Sequence, residues 1–345
     1  MTNASKATDE GNAMQPHEPE RGMALWHRYG WIAYAAVFIA VIGHASSEFV
    51  AKIISTTSPI NGPEISVWRF LLGGAGLVVV ALMVPGSRDL VTPMREDGGK
   101  LVAFSVGGVA LAYFFFHWSL DFASVPQVAT VVTTAPIFVG LLNMAVNKIP
   151  IGTAKLVSGL GAVAAVALLV TDGAISALAG SASSLIGVFF AILCAVFMSV
   201  YLVLAKPYVA KYGALRFTAI TLFIGGLVLW VGVGVAFGRW VDPTSLPALA
   251  WPAAAAIVVL ALYNTTLTQW LWIGGLAAAP DLTRAMYLFF LKPVIAAALA
   301  VVFLGTSLSG WQVLAILVIC LAVIAEANWE RIAGPRQVPA DETRA

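Results

Sequence analysis

The sequence predicts an all-α integral membrane protein in which ten transmembrane helices form two inverted five-helix repeats. The first observation is composition: of 345 residues, 60% are hydrophobic and only 10% are charged, whereas soluble domains carry about 25% charged residues. The second is the number of apolar stretches, and the third is a similarity between the two halves of the chain. Because a soluble fold needs a wettable surface, the low charge content indicates that the bilayer is the solvent.

Ten apolar stretches approach the roughly 20 residues that a membrane-spanning helix needs. They cover residues 31–54, 65–84, 101–120, 124–145, 154–171, 184–205, 217–237, 253–272, 281–303 and 310–326. Several are separated by only a few residues, so we expect neighbouring helices to be antiparallel.

Polar segments divide the chain into five parts. Residues 1–30 lack the apolar stretch of a signal peptide and are expected to form a disordered cytoplasmic tail, with a second cytoplasmic tail at 328–345. Between the tails we expect one five-helix repeat at 31–171, an external linker at 172–183 and a second repeat at 184–327.

Lysine and arginine positions predict the orientation of the helices. If the N-terminus is inside, every inside segment carries at least two of these residues, whereas the outside segments carry Arg239 alone. This bias predicts a multi-pass protein of the cell inner membrane with both termini in the cytoplasm.

The two halves of the chain share a pattern. Residues 113–142 superpose without a gap on residues 270–299, at an offset of 157 positions that places Pro136 on Pro293. With five helices per half, the second copy enters the membrane from the opposite side. Inverted repeats of this kind are typical of secondary transporters, whose substrate site lies near mid-membrane between the halves.

Charged residues inside the predicted spans are candidates for function because they are costly there. His44, Glu48 and Lys52 lie on one face of the first helix, at a spacing of four residues. Glu48 would titrate or contact the substrate, or it would form a structural ion pair with Lys52 or His44. Arg69, near the outer end of the second helix, is an interfacial anchor or a partner for Glu48 or Glu64.

Two cations share one face of the ninth helix. We expect Arg284 to pair at the cytoplasmic end with Asp281, which caps the helix. Lys292 lies about two turns deeper, beside Pro293, whose missing N–H frees the carbonyl of residue 289 and opens the backbone. Lys292 is therefore the leading candidate for a substrate contact.

Uncharged polar and aromatic residues would line the same cavity, although hydrogen bonding between helices is the favoured explanation for each polar residue taken singly. Trp270 and Trp272 could line the cavity, whereas Trp68 reads as an interfacial anchor. The remaining candidates for substrate contact are Tyr113, His117, Gln127, Thr134 and Asn264.

Several motifs resemble the EamA-type permeases of the drug/metabolite transporter superfamily. They are His44-Ala-Ser-Ser-Glu-Phe-Val-Ala-Lys52, Val67-Trp-Arg-Phe70, Tyr113-Phe-Phe-Phe-His-Trp-Ser-Leu-Asp-Phe-Ala-Ser124 running into Ala135-Pro136, Trp270-Leu-Trp-Ile-Gly-Gly-Leu-Ala-Ala-Ala-Pro280, and Lys292-Pro293. The resemblance extends over about residues 31–327. It implies a ten-helix, inverted-repeat permease that moves small metabolites by alternating access.

The chain departs from that family pattern at two kinds of position. No acidic residue stands at 147–148 or 304–306, where the family often has a Gly-Glu turn after the fourth and ninth helices. Glu48 stands where the family often has a small polar or amide residue, which raises interest in Glu48. Arg69 recurs in the family at the same place, which favours a role in architecture as much as in transport.

The membrane cations favour a secondary transporter, and we expect an exporter, for a small polar metabolite such as an amino acid or organic anion. Glu48 is the candidate for proton coupling. A multidrug or organic-cation efflux permease and, in a different class, a channel or non-transporting scaffold remain alternatives.

The sequence contains no motif of an intramembrane enzyme, no nucleotide-binding loop and no metal-ligand spacing. We therefore expect no catalysis, cofactor or nucleic acid; the partners are the substrate and the bilayer, and a homodimer stays open.

Overall fold

The computed structural model describes residues 29–123, 125–174, 182–305 and 307–327, and within these ranges every regular element is helical. Six helices run without interruption. They are α1 (Gly30–Thr57), α2 (Gly62–Met83), α5 (Thr153–Thr171), α6 (Ala182–Tyr212), α7 (Ala214–Phe237) and α10 (Gly310–Ala327).

Helices α3 and α8 each contain a π-helical segment. The pieces of α3 are Val91–Phe104, the π segment Ser105–Leu111 and Ala112–Phe122. Those of α8 are Trp251–Ala261, the π segment Leu262–Leu267 and Thr268–Ala278. The second π segment begins 157 positions after the first, the same offset that places Pro136 on Pro293. Such segments are rare and frequently mark functional sites.

Helices α4 and α9 are broken just before a proline. The pieces of α4 are Val125–Val132 and Ala135–Asn147. Those of α9 are Leu282–Tyr287, the 3-10 turn Leu288–Phe290 and Leu291–Leu304. Proline lacks an N–H and clashes with the preceding helical turn, so the backbone changes geometry upstream of Pro136 and Pro293. The sequence predicted that the backbone opens at Pro293; the structure instead has a 3-10 turn there, which is wound more tightly than an α-helix.

Eight helical stretches in the described part of the chain are long and apolar enough to cross a membrane. The apolar parts of α5 and α10, Lys155–Thr171 and Gly310–Ala325, are shorter. The chain is therefore an all-α, multi-pass membrane protein, while the count of ten spans stays a prediction. The third helix begins at Val91 rather than at residue 101, with a kink at Asp97 where φ is −130° and ψ is 25°.

Helices of the two halves interleave. α2 packs along α7 and α5 along α10, while α3 contacts α6 and α7 and α8 contacts α1 and α2. Glycines permit the closest crossing: the Cα of Gly74 lies against the backbone of Phe223, and that of Gly226 against the backbone of Phe70. Gly161, by contrast, has no neighbour within 4 Å of an added side chain.

The cationic loops meet at one end of the bundle. At the end of α6, Lys211 Nζ lies 3.0 Å from Glu96 and 2.9 Å from Asp97, and Lys206 Nζ donates to the carbonyl of Ala279 at 3.4 Å. Next to Ala279, the carboxylate of Asp281 pairs with Lys155 of α5. At the opposite end, Arg239 lies 3.3 Å from Glu64, and Ser309 donates to Asp172.

Candidate functional site

A small pocket lies at the centre of the bundle, where α2, α3, α6, α7 and α8 meet. It leaves about 10 Å³ for the centres of water molecules, which is room for about one water. Because a metabolite needs far more space, this conformation is closed around the pocket. The lining residues are Phe70, Gly108, Val109, Tyr113, Met198, Tyr201, Leu202, Leu222, Gln269, Trp272 and Ile273.

Tyr113 and Gln269 form a polar contact in this pocket between α3 and α8. The Gln269 Nε2 donates to the Tyr113 hydroxyl at 3.0 Å, and the Tyr113 ring lies 4.2 Å from the Phe70 ring. Tyr113 is among the residues that the sequence predicts to contact the substrate, whereas Gln269 is not. The contact connects the two halves at the pocket.

The side chain of Arg69 on α2 forms hydrogen bonds with the π segment of α8. Its Nε donates to the Thr265 hydroxyl at 3.1 Å and its Nη2 to the Asn264 carbonyl at 3.3 Å. The guanidinium also lies 5.2 Å from the ring centre of Phe70 and 5.7 Å from that of Tyr113, within the range of cation–π attraction. These bonds favour an architectural role for Arg69. The carboxylate of Glu64 instead caps α2 and pairs with Arg239.

A second cluster joins α1, α8 and α9 around an imidazole. The His44 ring lies edge-on to Trp272 at 5.2 Å and to Phe289 at 6.2 Å, and Lys292 Nζ lies 5.8 Å from the Phe289 ring centre. His44 is buried, and Arg69 reaches the same region by donating to the carbonyl of Asn264, whose side chain bonds Gly43 next to His44. Contacts with Phe289 and Asn264 therefore bring Lys292 and Arg69 to the surroundings of His44.

Asn264 faces α1 from the π segment of α8. Its Nδ2 donates to the carbonyl of Gly43 at 2.7 Å and to the hydroxyl of Ser46 at 2.9 Å. Both contacts lie beside His44 in the sequence, so Asn264 belongs to the same layer as the His44 cluster. This part of the predicted constellation is brought together by the fold.

Other predicted site residues lie away from this layer or outside the described side chains. Thr134 stands at the break in α4, where its hydroxyl donates to Val131 O at 2.5 Å, and Trp270 is half-buried against the core. Arg284 lies in the first turn of α9 next to Asp281, about two turns before Lys292. The side chains of Glu48, Lys52, His117 and Gln127 lie outside the part of the chain that is described at side-chain level.

Asp281 forms a charged contact at the cationic end. One carboxylate oxygen accepts from the backbone N–H of Arg284 at 2.9 Å, as a helix cap, and the other accepts from Lys155. Burial opposes ionisation of this carboxyl, but the hydrogen bonds from Lys155 and Arg284 prevail and hold the pKa of Asp281 below its usual value. The helix cap was predicted; Lys155 of α5 as the ion-pair partner was not.

Two apolar members of the site, Trp272 and Phe289, were not among the leading candidates predicted from the sequence. Trp272 is fully buried and contacts both the pocket and His44, and Phe289 lies between His44 and Lys292. The useful signal was the position of Trp272, two turns after Asn264 on α8. Neither residue carries a charge, so the cost of burying charge did not single them out.

Interrupted helices, interleaved halves and a pocket between them are typical of polytopic membrane transporters. The profile of the EamA-like transporter family matches residues 31–171 and again residues 185–325. The chain belongs to the EamA-like transporter family, consistent with the drug/metabolite transporter superfamily.

Individual relatives agree with this assignment. The chain is 21% identical over 294 residues to an "Uncharacterized transporter" of Clostridium kluyveri, covering 84% of this chain and 91% of that protein. It is 26% identical over 239 residues to the "Uncharacterized transporter YdfC" of Bacillus subtilis, covering 61% and 74%. A solved crystal structure with 19% identity superposes with a TM-score of 0.71 over 91% of this chain and 99% of its own, which supports the fold.

Proposed function

We propose that this transporter exports a small polar metabolite bearing a carboxylate, an amino acid or an organic anion, as a secondary active carrier. The observation that carries the proposal is that Phe289 contacts both His44 and Lys292, while Asn264 contacts both Arg69 and the residue before His44. His44 and Arg69 come from the first half, and Lys292 comes from the second. An anionic group between them gains attraction from both halves, and at low dielectric such attraction is far stronger than in water.

The arrangement of the helices supports alternating access between two inverted repeats, at 31–171 and 184–327. π segments in α3 and α8 and breaks in α4 and α9 recur at equivalent places in the halves. Secondary transporters place substrate sites at interrupted helices between such repeats. The closed pocket fits an intermediate state in which neither side has access.

We further propose that Glu48 couples transport to protons, because it is an acidic residue that follows His44 by one turn on α1. Replacing Glu48 with Gln keeps the size of the side chain and removes its titration. We expect the variant to exchange substrate but to lose the stimulation of net transport by a pH gradient. Unchanged dependence on the pH gradient in proteoliposomes would rule out this role.

Organic-cation efflux is the second candidate function, because four aromatic rings line the pocket and cations are attracted to ring faces. The rings belong to Phe70, Tyr113, Tyr201 and Trp272. In this reading, the basic groups would be structural.

Counterflow in proteoliposomes separates these functions. Vesicles loaded with a panel of unlabelled amino acids, organic acids and organic cations are tested for faster uptake of the labelled compound. We expect acceleration by a carboxylate compound, because a carrier returns faster when loaded; a channel or scaffold gives none. Acceleration by organic cations alone favours the second function.

Lys292→Gln tests the electrostatic basis. We expect kcat/KM for the carboxylate substrate to fall by roughly 10- to 100-fold, the range of a lost hydrogen bond to a charged group. Lys148→Gln removes the same charge from an exposed site after α4 and is the matched control. Carboxylate exchange that survives Lys292→Gln unharmed would contradict the positive-site proposal.

A further inference from the structure

Three buried side-chain atoms in the layer between α1 and α8 have no hydrogen-bond partner within the described part of the chain. They are His44 Nε2, Asn264 Oδ1 and Trp272 Nε1. Most buried polar atoms are hydrogen-bonded, and leaving one unsatisfied costs free energy. Three such atoms in neighbouring side chains therefore indicate that a bound ligand supplies their hydrogen-bond partners.

The packing of α8 on α1 places these side chains together. Gly275 packs on Val37, Thr268 faces Gly43, and Asn264 bonds the carbonyl of Gly43, so one face of α8 follows α1 along this stretch. Trp272 lies on that face, and its ring meets His44, the residue after Gly43. The three unsatisfied atoms thus belong to a single contact between two helices of opposite halves.

The chemistry of the layer selects an anionic partner for two of the atoms. The indole Nε1 can only donate, and His44 Nε2 donates in its N–H form. Two cations lie beside this layer: Lys292 Nζ is 5.8 Å from the ring of Phe289, which contacts His44, and Arg69 donates to the carbonyl of Asn264. Two donors near two cations suit a carboxylate, whereas Asn264 Oδ1 can only accept and needs a donor from the ligand.

We propose that Trp272 Nε1 and His44 Nε2 bind the carboxylate of the substrate, while Asn264 Oδ1 accepts a hydrogen bond from its neighbouring N–H or O–H group. The ligand class is then a 2-amino or 2-hydroxy carboxylate. Because Trp272 also lines the central pocket, the apolar remainder of the ligand lies there. This inference rests on the proposed transport of a carboxylate and adds the groups that recognise it.

The test compares two Trp→Phe variants by thermal unfolding of the purified full chain. Trp272→Phe removes an N–H that has no partner in the described part of the chain, so only the lost packing of a fully buried ring should lower the Tm without ligand. Trp230→Phe removes an N–H that donates to Val241 O at 2.8 Å and should lower that Tm. Ligands are the twenty L-amino acids; for the strongest we add its 2-hydroxy acid, its des-amino acid and its decarboxylated amine.

We expect the amino acid and the hydroxy acid to stabilise the wild type, and the des-amino acid and the amine to do so weakly. Trp272→Phe should weaken binding by roughly 10- to 100-fold, while Trp230→Phe keeps wild-type affinity. The methyl ester of the strongest amino acid supplies a second measurement. The wild type should bind the ester more weakly than the free acid, and this difference in affinity should be smaller in Trp272→Phe, because both changes remove the same interaction.

The outcomes separate the two proposals. If carboxylates are exchanged in counterflow but Trp272→Phe binds them as the wild type does, the inference is wrong and the proposed function stands; a water molecule then completes the three atoms. If the ester penalty is unchanged by Trp272→Phe, the indole does not face the carboxylate. If no carboxylate compound is exchanged or bound by the wild type, the proposed function and the inference fail together.

Discussion

At the residue scale, the ion pair between Lys155 and Asp281 connects α5 to the start of α9. Both side chains are partly exposed, at 23% and 33%, so solvent screening limits the pair to about 0.5–1 kcal/mol. We predict this coupling energy from a double-mutant cycle of Lys155→Gln and Asp281→Asn, measured by unfolding of the purified protein near neutral pH. A coupling of zero would show that the contact does not contribute to stability.

The same pair predicts a pH dependence. Because the folded pKa of Asp281 lies below its unfolded value, the folded state binds this proton more weakly. The stabilisation is complete above the unfolded pKa of about 3.9 and is lost as the pH falls through the folded pKa. The difference in Tm between the wild type and Asp281→Asn should therefore shrink on acidification, and a difference that grows instead would contradict the assignment.

Single residues were predictable where burial of charge is costly. That cost singled out Lys292, His44 and Arg69; in the structure Lys292 and His44 both contact Phe289, and Arg69 bonds Asn264. The cost of burying charge could not identify Trp272, because its side chain is uncharged. Trp272 is of interest because its indole N–H has no hydrogen-bond partner in the described part of the chain. Trp68 was predicted as an interfacial anchor, but it is buried with 3% exposure, because packing on neighbouring helices covers that end of α2.

At the element scale, the contact of α7 on α2 depends on Gly226. A methyl group added there would lie 2.6 Å from the backbone oxygen of Phe70, and a backbone atom cannot move aside as a side chain can. We predict that Gly226→Ala destabilises the protein by about 1–3 kcal/mol, measured as a shift in the unfolding transition in detergent.

Gly232 on the same helix is the matched control. An added methyl group meets no atom within 4 Å there, so Gly232→Ala should be neutral or stabilise by up to about 1 kcal/mol through helix propensity. If the two variants lose equal stability, the close approach of α2 and α7 is not what Gly226 provides.

Helix interruptions were predictable only where the sequence carries a cause. Pro293 removes a hydrogen-bond donor, which predicts the break in α9. The π segments have no comparable marker, since Gly107 and Asn264 in equivalent positions share no chemistry. Their geometry depends on partners in the other half: Thr265 is held by Arg69, and Gly108 packs against Tyr201. Contacts between distant helices cannot be derived from the sequence of one helix.

At the scale of the whole molecule, the internal offset of 157 positions also predicts which helices contact one another. α4 packs on α6 as α9 packs on α1, and α3 contacts α6 and α7 as α8 contacts α1 and α2. The contacts thus follow a two-fold relation between the halves. This two-fold pattern could be predicted because the length of an apolar stretch and the position of a proline are read from one segment of the sequence. The small closed pocket could not be predicted, because it depends on packing between helices.

The count of ten spans depends on the short helices α5 and α10. α5 has 19 residues, which at about 1.5 Å per residue gives about 28 Å, close to the roughly 30 Å hydrocarbon core. We therefore predict that α5 crosses the membrane, so that Lys148 and Ala174 face opposite sides. Single cysteines at these positions, both exposed, are introduced into a Cys320→Ser background, because Cys194 is buried.

A membrane-impermeant maleimide applied to intact cells should label Ala174→Cys and leave Lys148→Cys unlabelled until the cells are opened. Thr244→Cys, exposed in the loop that follows Arg239, marks the outer face. Orientation and span count are then tested separately. Labelling of Lys148→Cys but not of Thr244→Cys would invert the predicted topology and place the cationic loops outside. Labelling of Lys148 and Ala174 from the same side would remove α5 as a span, and with it the odd number of helices per half that makes the repeats inverted.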